Sequence, residues 1–237
     1  MTELLELRDG DRVLDIGTGT GAGAGRAAAR VLPGGSVVGV DLSFGMLGAA
    51  PPDARVRYAQ AAAIDLPFRN GTFDAVTALF VLAHFARYET ALFDVLRVLR
   101  PSGRLGVATW AANFDEFSRT WDGLTEEFAE RSMLQDAFTR AQPWADRFTD
   151  RSRLTEALHD AGLREMRAET RTYHFQMSAE DYLVARETST TGRFLHEMLG
   201  DSLWERFRDR SRQVFAERFP PVFNDFRDAI LVVGVRP

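Results

Sequence analysis

Two carboxylates and a run of glycines in the first fifth of the chain have the types and spacing to hold a ligand. In "VLDIGTGTGAGAG", residues 13–25, an apolar run ends on Asp15 and gives way to glycine at every second position, Gly17, Gly19 and Gly21 among them. Glycine permits positive φ and lets a ligand approach bare backbone, and a helix starting there offers N–H donors and positive potential. The next apolar run, "SVVGVD", ends on Asp41, where a carboxylate is placed to accept hydrogen bonds from a ribose diol. Taken alone, Gly17-Thr-Gly19-Thr-Gly21-Ala22 also satisfies the loose dinucleotide pattern Gly-x-Gly-x-x-Gly/Ala. Two features tilt the reading. Asp15 repels a pyrophosphate but suits an ammonium group, and no basic residue stands in the loop before Arg26. The expected ligand is therefore adenosine-bearing and cationic, which S-adenosylmethionine satisfies. Glycines serving only close helix–strand packing leave Asp15 and Asp41 unexplained.

The elements that must position these residues alternate as a parallel sheet demands. "RVLDIG", "SVVGVD" and "ARVRYAQ" read as strands, with helices at "AGRAAARVL" and around "SFGMLGAA". An Asn70-Gly71 turn leads into a fourth strand at residues 73–78, and "YETALFDVLRVLRPSG" reads as a helix closed by Pro101 and Gly103, before a fifth strand, "RLGVATW". "RSRLTEALHDAGL" is a further helix, "REMRAETRTYHF" alternates like a strand, and "DAILVVGVRP" closes the sheet as a seventh. Residues 111–150 and 173–228 interrupt this pattern as helical insertions. The first carries Phe114, Phe117, Trp121, Phe128, Phe138, Trp144 and Phe148 at helical spacing; the second carries a stripe of Trp204, Phe207, Ser211, Val214 and Phe215. Most such aromatics belong to ordinary core; the rest suggest an apolar acceptor pocket under a cap.

With 237 residues, 45% hydrophobic and 27% charged, the chain suits one α/β domain with large insertions. A net charge of −5 disfavours nucleic acid as a partner. Five arginines from Arg206 to Arg218 interleave with Glu205, Asp209 and Glu217, the pattern of a solvated helix face. There is no cysteine, and all 29 basic residues are arginine, which excludes thiolate chemistry, Schiff-base lysines and P-loop lysines. No apolar stretch is long enough for a membrane span, and "MTELLELRDGD" lacks the features of a secretory signal, so a cytoplasmic location is expected. Spacing of His, Asp and Glu suggests no metal site. Homo-oligomerisation is left open.

Four motifs, in order, carry a family resemblance. "VLDIGTGTG" and "VVGVDLSFGML" resemble the first two motifs of class I S-adenosylmethionine-dependent methyltransferases; "DLPFRNGTFDAVTALFVLAHF" resembles the stretch entering their fourth strand, and "VLRVLRPSGRLGVATW" their helix, turn and fifth strand. The resemblance implies a Rossmann-like, seven-stranded, mostly parallel sheet with the last strand antiparallel and the cofactor across the carboxyl ends of strands one, two and four. It implies that Asp15 faces the methionine ammonium through water, with Gly17, Gly19 and Gly21 lining the same end. Asp41 would hold the ribose hydroxyls, Leu42 and Met46 pack near the adenine, Ala63 and Ile64 meet its edge, and Leu79 and Phe80 close the methionine side. Two departures stand out. Where many relatives carry an aspartate for the adenine amino group, this chain has Ala62, a hydrogen bond worth about 0.5–1.5 kcal/mol that Asp65 or Gln60 would have to replace. Few residues precede strand one, so a more open cofactor entrance is expected, or cover borrowed from a partner subunit or from residues 111–150.

On the acceptor side, displacement at a sulfonium needs positioning and desolvation, and a base only where the acceptor must lose a proton. His84, just past strand four, is the candidate catalytic residue; its other reading is as a cap of the following helix. Tyr173 and His174 in the sixth strand are secondary candidates, whereas His159 and His196 read as structural. The expectation is a methyltransferase acting on a small, largely apolar organic acceptor, such as a secondary metabolite. The alternatives are a cyclase or rearrangement enzyme that keeps the cofactor structurally, and a non-catalytic cofactor-binding protein.

Overall fold

The computed structural model describes residues 1–52, 55–112 and 115–237. Among them, seven strands form one sheet in the order β3-β2-β1-β4-β5-β7-β6. The strands are β1 (Arg12–Ile16), β2 (Ser36–Asp41), β3 (Val56–Gln60), β4 (Phe73–Leu79), β5 (Leu99–Trp110), β6 (Arg164–Ser178) and β7 (Val222–Val235). Pairings from β3 through β5 are parallel, and β7 runs antiparallel to β5. Parallel strands are covered on both faces, so the central ones read as largely apolar runs: β4 is buried at every residue from Phe73 to Ala78, the polar Asp74 and Thr77 included.

The alanine-rich helix α1 (Ala22–Val31) explains its own composition. Ala24, Ala27, Ala28 and Val31 bury against Val13, Val37, Val56 and Ala75, where short side chains bring helix and sheet close. A second cluster joins α3 (Tyr88–Val98) and α7 (Arg151–Asp160) to the sheet through Leu92, Val95, Val98, Leu154 and Leu158. The short helix α2 (Phe44–Gly48) follows β2, capped by Ser43, whose hydroxyl accepts from the Met46 N–H at 3.3 Å. Before β1, Met1 and Leu4 pack with Ala108, Ala229 and Leu231, and Leu5 is fully buried.

The chain divides into two units. The first holds residues 1–111, 144–171 and 229–237, and the second residues 112–143 and 172–228; β6 and β7 contribute residues to both. Residues 144–150, expected within the first insertion, belong to the sheet unit: α6 (Ala145–Phe148) buries Phe148 in its core, and Trp144 packs edge-on against Tyr88 at 4.7 Å. The second unit contains α4 (Glu116–Glu126), α5 (Arg131–Ala141), α8 (Ala179–Glu187) and α9 (Thr190–Arg218), the last broken at Gly200. Its core uses Trp121, Leu124, Tyr182, Trp204, Phe207, Phe215 and Phe223, with Phe117 and Phe128 packed against it. The aromatic richness of the insertions is therefore spent mainly on core; Phe114 lies outside the described residues. Arg208, Arg210, Arg212 and Arg218 pair with carboxylates of the same unit, among them Glu187, Glu127, Glu180 and Glu116. Among the described residues no helix is long and apolar enough to cross a membrane, and no group of three His, Cys, Asp or Glu is arranged to hold a metal ion.

Candidate active site

Between β1 and β4 the strand order reverses direction, and in open α/β sheets such a switch point opens a crevice at the carboxyl ends of the strands. Asp15, Asp41, Leu79 and Phe80 all come from the ends of β1, β2 and β4, so the sheet brings the expected residues to one edge.

Asp15 is 2% exposed. Its carboxylate accepts from the Thr18 hydroxyl at 2.8 Å and the Thr77 hydroxyl at 2.5 Å, and it faces the backbone amide of Ala24 in the first turn of α1. Burial pushes its carboxyl above the ordinary range; the two hydroxyls and the amide oppose that, and the nearby Asp41 charge adds to it. Of about four lone-pair positions on a carboxylate, two are taken by these hydroxyls, so Asp15 ties the glycine loop to β4 and keeps only part of its capacity for a ligand. Asp41 is half-buried and differently placed. One oxygen accepts from the Gly19 N–H at 2.9 Å and the other from the Ser43 N–H at 2.8 Å. One acceptor position remains on each oxygen, which fits the two hydroxyls of a ribose.

The glycines have reasons of their own. Gly17, Gly19 and Gly21 adopt φ of 64°, 55° and 83°, where a side chain is strained. A Cβ at Gly17 would overlap Val81, and one at Gly21 the Tyr58 hydroxyl; at Gly23 it would stand 2.9 Å from Leu79 Cδ1 and 3.0 Å from Asp15 Oδ2. Gly19 is the loosest, meeting only Met46 Cε at 3.3 Å. Close packing thus accounts for Gly17, Gly21 and Gly23, and loop anchoring gives both carboxylates a structural task. Gly19 and the remaining capacity of Asp41 are what the packing leaves for a ligand.

Apolar surface flanks this point. Leu42 is 70% exposed and Met46 44%, on the β2 side. Ala63 and Ile64 are half-buried in a loop held from below: the backbone N–H of Leu66 donates to Asp94 on α3, Arg97 Nε donates to the same carboxylate at 2.5 Å, and Arg97 also donates to the carbonyls of Leu66 and Phe68. Burial works against the Asp94 charge, but the bonds from Arg97 and Leu66 outweigh it and hold the carboxyl below the ordinary range. Near Ala62, the Gln60 amide is engaged with the Leu42 carbonyl at 2.9 Å, and Asp65 is exposed with φ of 68°.

At the end of β4 the chain takes an unusual turn. Phe80 sits at φ of 57°, a conformation that costs a non-glycine residue about 1–3 kcal/mol, and its N–H donates to the Ala108 carbonyl on β5 at 2.7 Å. Its ring stacks on Trp110 of β5, with centroids 4.2 Å apart and planes inclined by 22°. His84 is exposed and ends a 3-10 turn, Leu82–His84; the N-cap of α3 is Arg87, so His84 does not cap that helix. Tyr173 and His174 are exposed on the part of β6 that belongs to the second unit. His159 lies 3.8 Å from Asp160, while His196 stacks on Trp204.

Thr18, Thr77, Val81, Asp94, Arg97 and Trp110 were not singled out from the sequence. The three-residue spacing of Asp94 and Arg97 on an amphipathic helix was a usable signal, and so was an aromatic residue at the carboxyl end of strand five. The hydroxyl partners of Asp15 carried none.

Comparison with known proteins agrees with this architecture. The methyltransferase domain family matches residues 14–107. A demethylmenaquinone methyltransferase of Symbiobacterium thermophilum is 37% identical over 119 residues, covering 47% of this chain and 47% of that protein. A 2-phytyl-1,4-naphtoquinone methyltransferase of Trichormus variabilis is 30% identical over 153 residues, 60% of this chain and 67% of the relative. The chain spans about half the length of several curated relatives that it matches. A solved structure of a protein from Bacillus halodurans superposes with a TM-score of 0.64 at 20% identity, covering 100% of this chain and 96% of that one, a likeness of fold. The ordered motifs, the sheet and these relatives together show that the chain belongs to the class I family of S-adenosylmethionine-dependent methyltransferases.

Proposed function

We propose that this chain transfers a methyl group from S-adenosylmethionine to a small, largely apolar organic acceptor, releasing S-adenosylhomocysteine. The observation that carries the reading is Asp41, whose two oxygens each keep an acceptor position after anchoring Gly19 and Ser43 at the switch point of the sheet. The residues fit the cofactor. Asp41 would hold the ribose, Leu42 and Met46 would cover the adenine with Ala63 and Ile64 at its edge, and the glycine loop would line the methionine end. Asp15 would act on the ammonium group through water, part of its direct capacity being used by Thr18 and Thr77.

Bound there, the cofactor supplies an electrophilic methyl group on a sulfonium. The chain's part is to bind, orient and desolvate. His84 is proposed to touch the acceptor or take its proton. An apolar acceptor is supported by the exposed Phe80 and Trp110 and by a relative named for a naphthoquinone. The test is a transfer assay with radiolabelled S-adenosylmethionine across a panel of small phenols, quinols and amines. Stoichiometric S-adenosylhomocysteine with labelled acceptor supports the proposal. Conversion of an acceptor without consumption of the cofactor would instead indicate a rearrangement enzyme.

A further inference from the structure

We infer that Phe80 and Trp110 form a stacking ledge that selects acceptors with a flat π-ring. The inference rests on the methyltransferase reading and concerns the acceptor side of the same site. The two rings are stacked at 4.2 Å yet remain 39% and 48% exposed, and both belong to the sheet unit. Large aromatics left half in water, when the sheet around them is closely packed, are unspent binding surface.

Their place in the sheet gives the surface a direction. Asp41 ends β2, and Leu42 and Met46 follow it, on one side of the switch point. Phe80 follows β4 and Trp110 ends β5 on the other, where Leu79 and Ala108 are paired in register. A cofactor whose ribose lies on Asp41 leaves the β4–β5 side for the acceptor. The backbone supports the arrangement. Phe80 holds a left-handed conformation that a phenylalanine rarely adopts, pinned by its N–H to the Ala108 carbonyl, and this turn brings its ring against Trp110. Strain kept at the mouth of a crevice is characteristic of residues that position a ligand. The ledge supplies an apolar face and no charge, so it discriminates by ring planarity: an aromatic acceptor gains offset stacking that a saturated ring of similar size lacks.

The experiment measures binding of 1,4-naphthoquinone and of its fully saturated counterpart, decahydronaphthalene-1,4-dione, by calorimetry or ligand-observed NMR on the full chain loaded with S-adenosylhomocysteine. The chain contains neither cysteine nor lysine, so quinone addition to those side chains does not confound the reading. The variants are Trp110→Leu and Phe80→Leu, with Phe93→Leu, an exposed aromatic on α3 at 71%, as control. The expected result is that naphthoquinone binds the wild-type chain and loses roughly fivefold or more in affinity with either ledge variant, the loss of one stacking partner. The saturated dione should be indifferent to both, and Phe93→Leu should behave as wild type. Naphthoquinone that fails to bind, or that binds Trp110→Leu and Phe80→Leu as tightly as wild type, overturns the ledge. If S-adenosylhomocysteine binds in that same experiment, only the ledge falls; if it does not bind, the methyltransferase reading falls with it.

Discussion

Replacing Asp41 with alanine tests how the site is built, because this carboxylate is doubly employed. It accepts two backbone N–H groups, from Gly19 at 2.9 Å and Ser43 at 2.8 Å. Both sites are near water, so the loop amides can rehydrate and the folded state should lose less than a buried pair would. The cofactor loses more. Two ribose hydroxyls forfeit a charged acceptor in a half-exposed setting, and the loop that presents Gly19 loosens. At about 1.5–3 kcal/mol for a hydrogen bond to a charged group, discounted for partial exposure, cofactor binding should weaken by about 1–3 kcal/mol, roughly 5- to 150-fold. The assay is a cycle of four calorimetric titrations: wild type and Asp41→Ala, each with S-adenosylhomocysteine and with its 2′-deoxy analogue. If the carboxylate holds the hydroxyl, the two losses overlap, and their sum exceeds the combined loss by at least about 1 kcal/mol. Additive losses would mean that Asp41 only anchors the loop, and the ribose placement would be refuted.

Other outcomes follow from the same structure. Burial raises the Asp15 carboxyl, so the folded cofactor-free chain binds that proton more tightly than the unfolded one and loses stability as pH climbs from the ordinary carboxylate range, near about 3.9, towards the raised value. An ammonium ligand favours the charged form, so affinity for S-adenosylmethionine should rise over the same window with proton release, seen by calorimetry in two buffers. Asp15→Asn should flatten the profile, and a flat wild-type profile contradicts the pairing. Asp94 is the opposite case: its lowered carboxyl contributes stability above the ordinary range that is lost as pH falls through the lowered value. Asp94→Ala should destabilise the chain to urea by about 1–3 kcal/mol and weaken cofactor binding through the loop at Ala63 and Ile64. Gly21→Ala places a Cβ at φ of 83° against the Tyr58 hydroxyl, with strain alone of about 1–2 kcal/mol; adding Tyr58→Phe should recover part of the loss in thermal unfolding, and no recovery would count against the packing argument. His84→Ala should spare cofactor affinity while lowering turnover, and an unchanged turnover removes His84 from the chemistry.

The sheet was legible because parallel strands buried on both faces leave largely apolar runs rich in Val, Leu, Ile and Ala, as at "RVLDI" and "FDAVTAL". Asp15 and Asp41 were legible because each ends such a run. Their second role was not, since Thr77 is 62 residues from Asp15 and meets it only through the pairing of β1 with β4. Glycine spacing signals room for a ligand, whereas Val81 and Tyr58, distant in sequence, fill that room at Gly17 and Gly21. Helical spacing marks an aromatic face without saying which core it enters. Trp144 and Phe148 joined the sheet unit for that reason, while Phe117 and Trp121 joined the helical one. The place of Trp110 at the end of strand five is visible in the sequence, but its stacking on Phe80 arises only through the pairing of β4 with β5.

On the proposed reading, this fold holds S-adenosylmethionine at Asp41 and the glycine loop. Its most direct test is calorimetric titration of the purified chain with S-adenosylmethionine, S-adenosylhomocysteine and, as a control, NAD. Saturable one-to-one binding of the first two, with none of NAD, is the predicted result. Binding of NAD, or of neither adenosyl ligand, would contradict it.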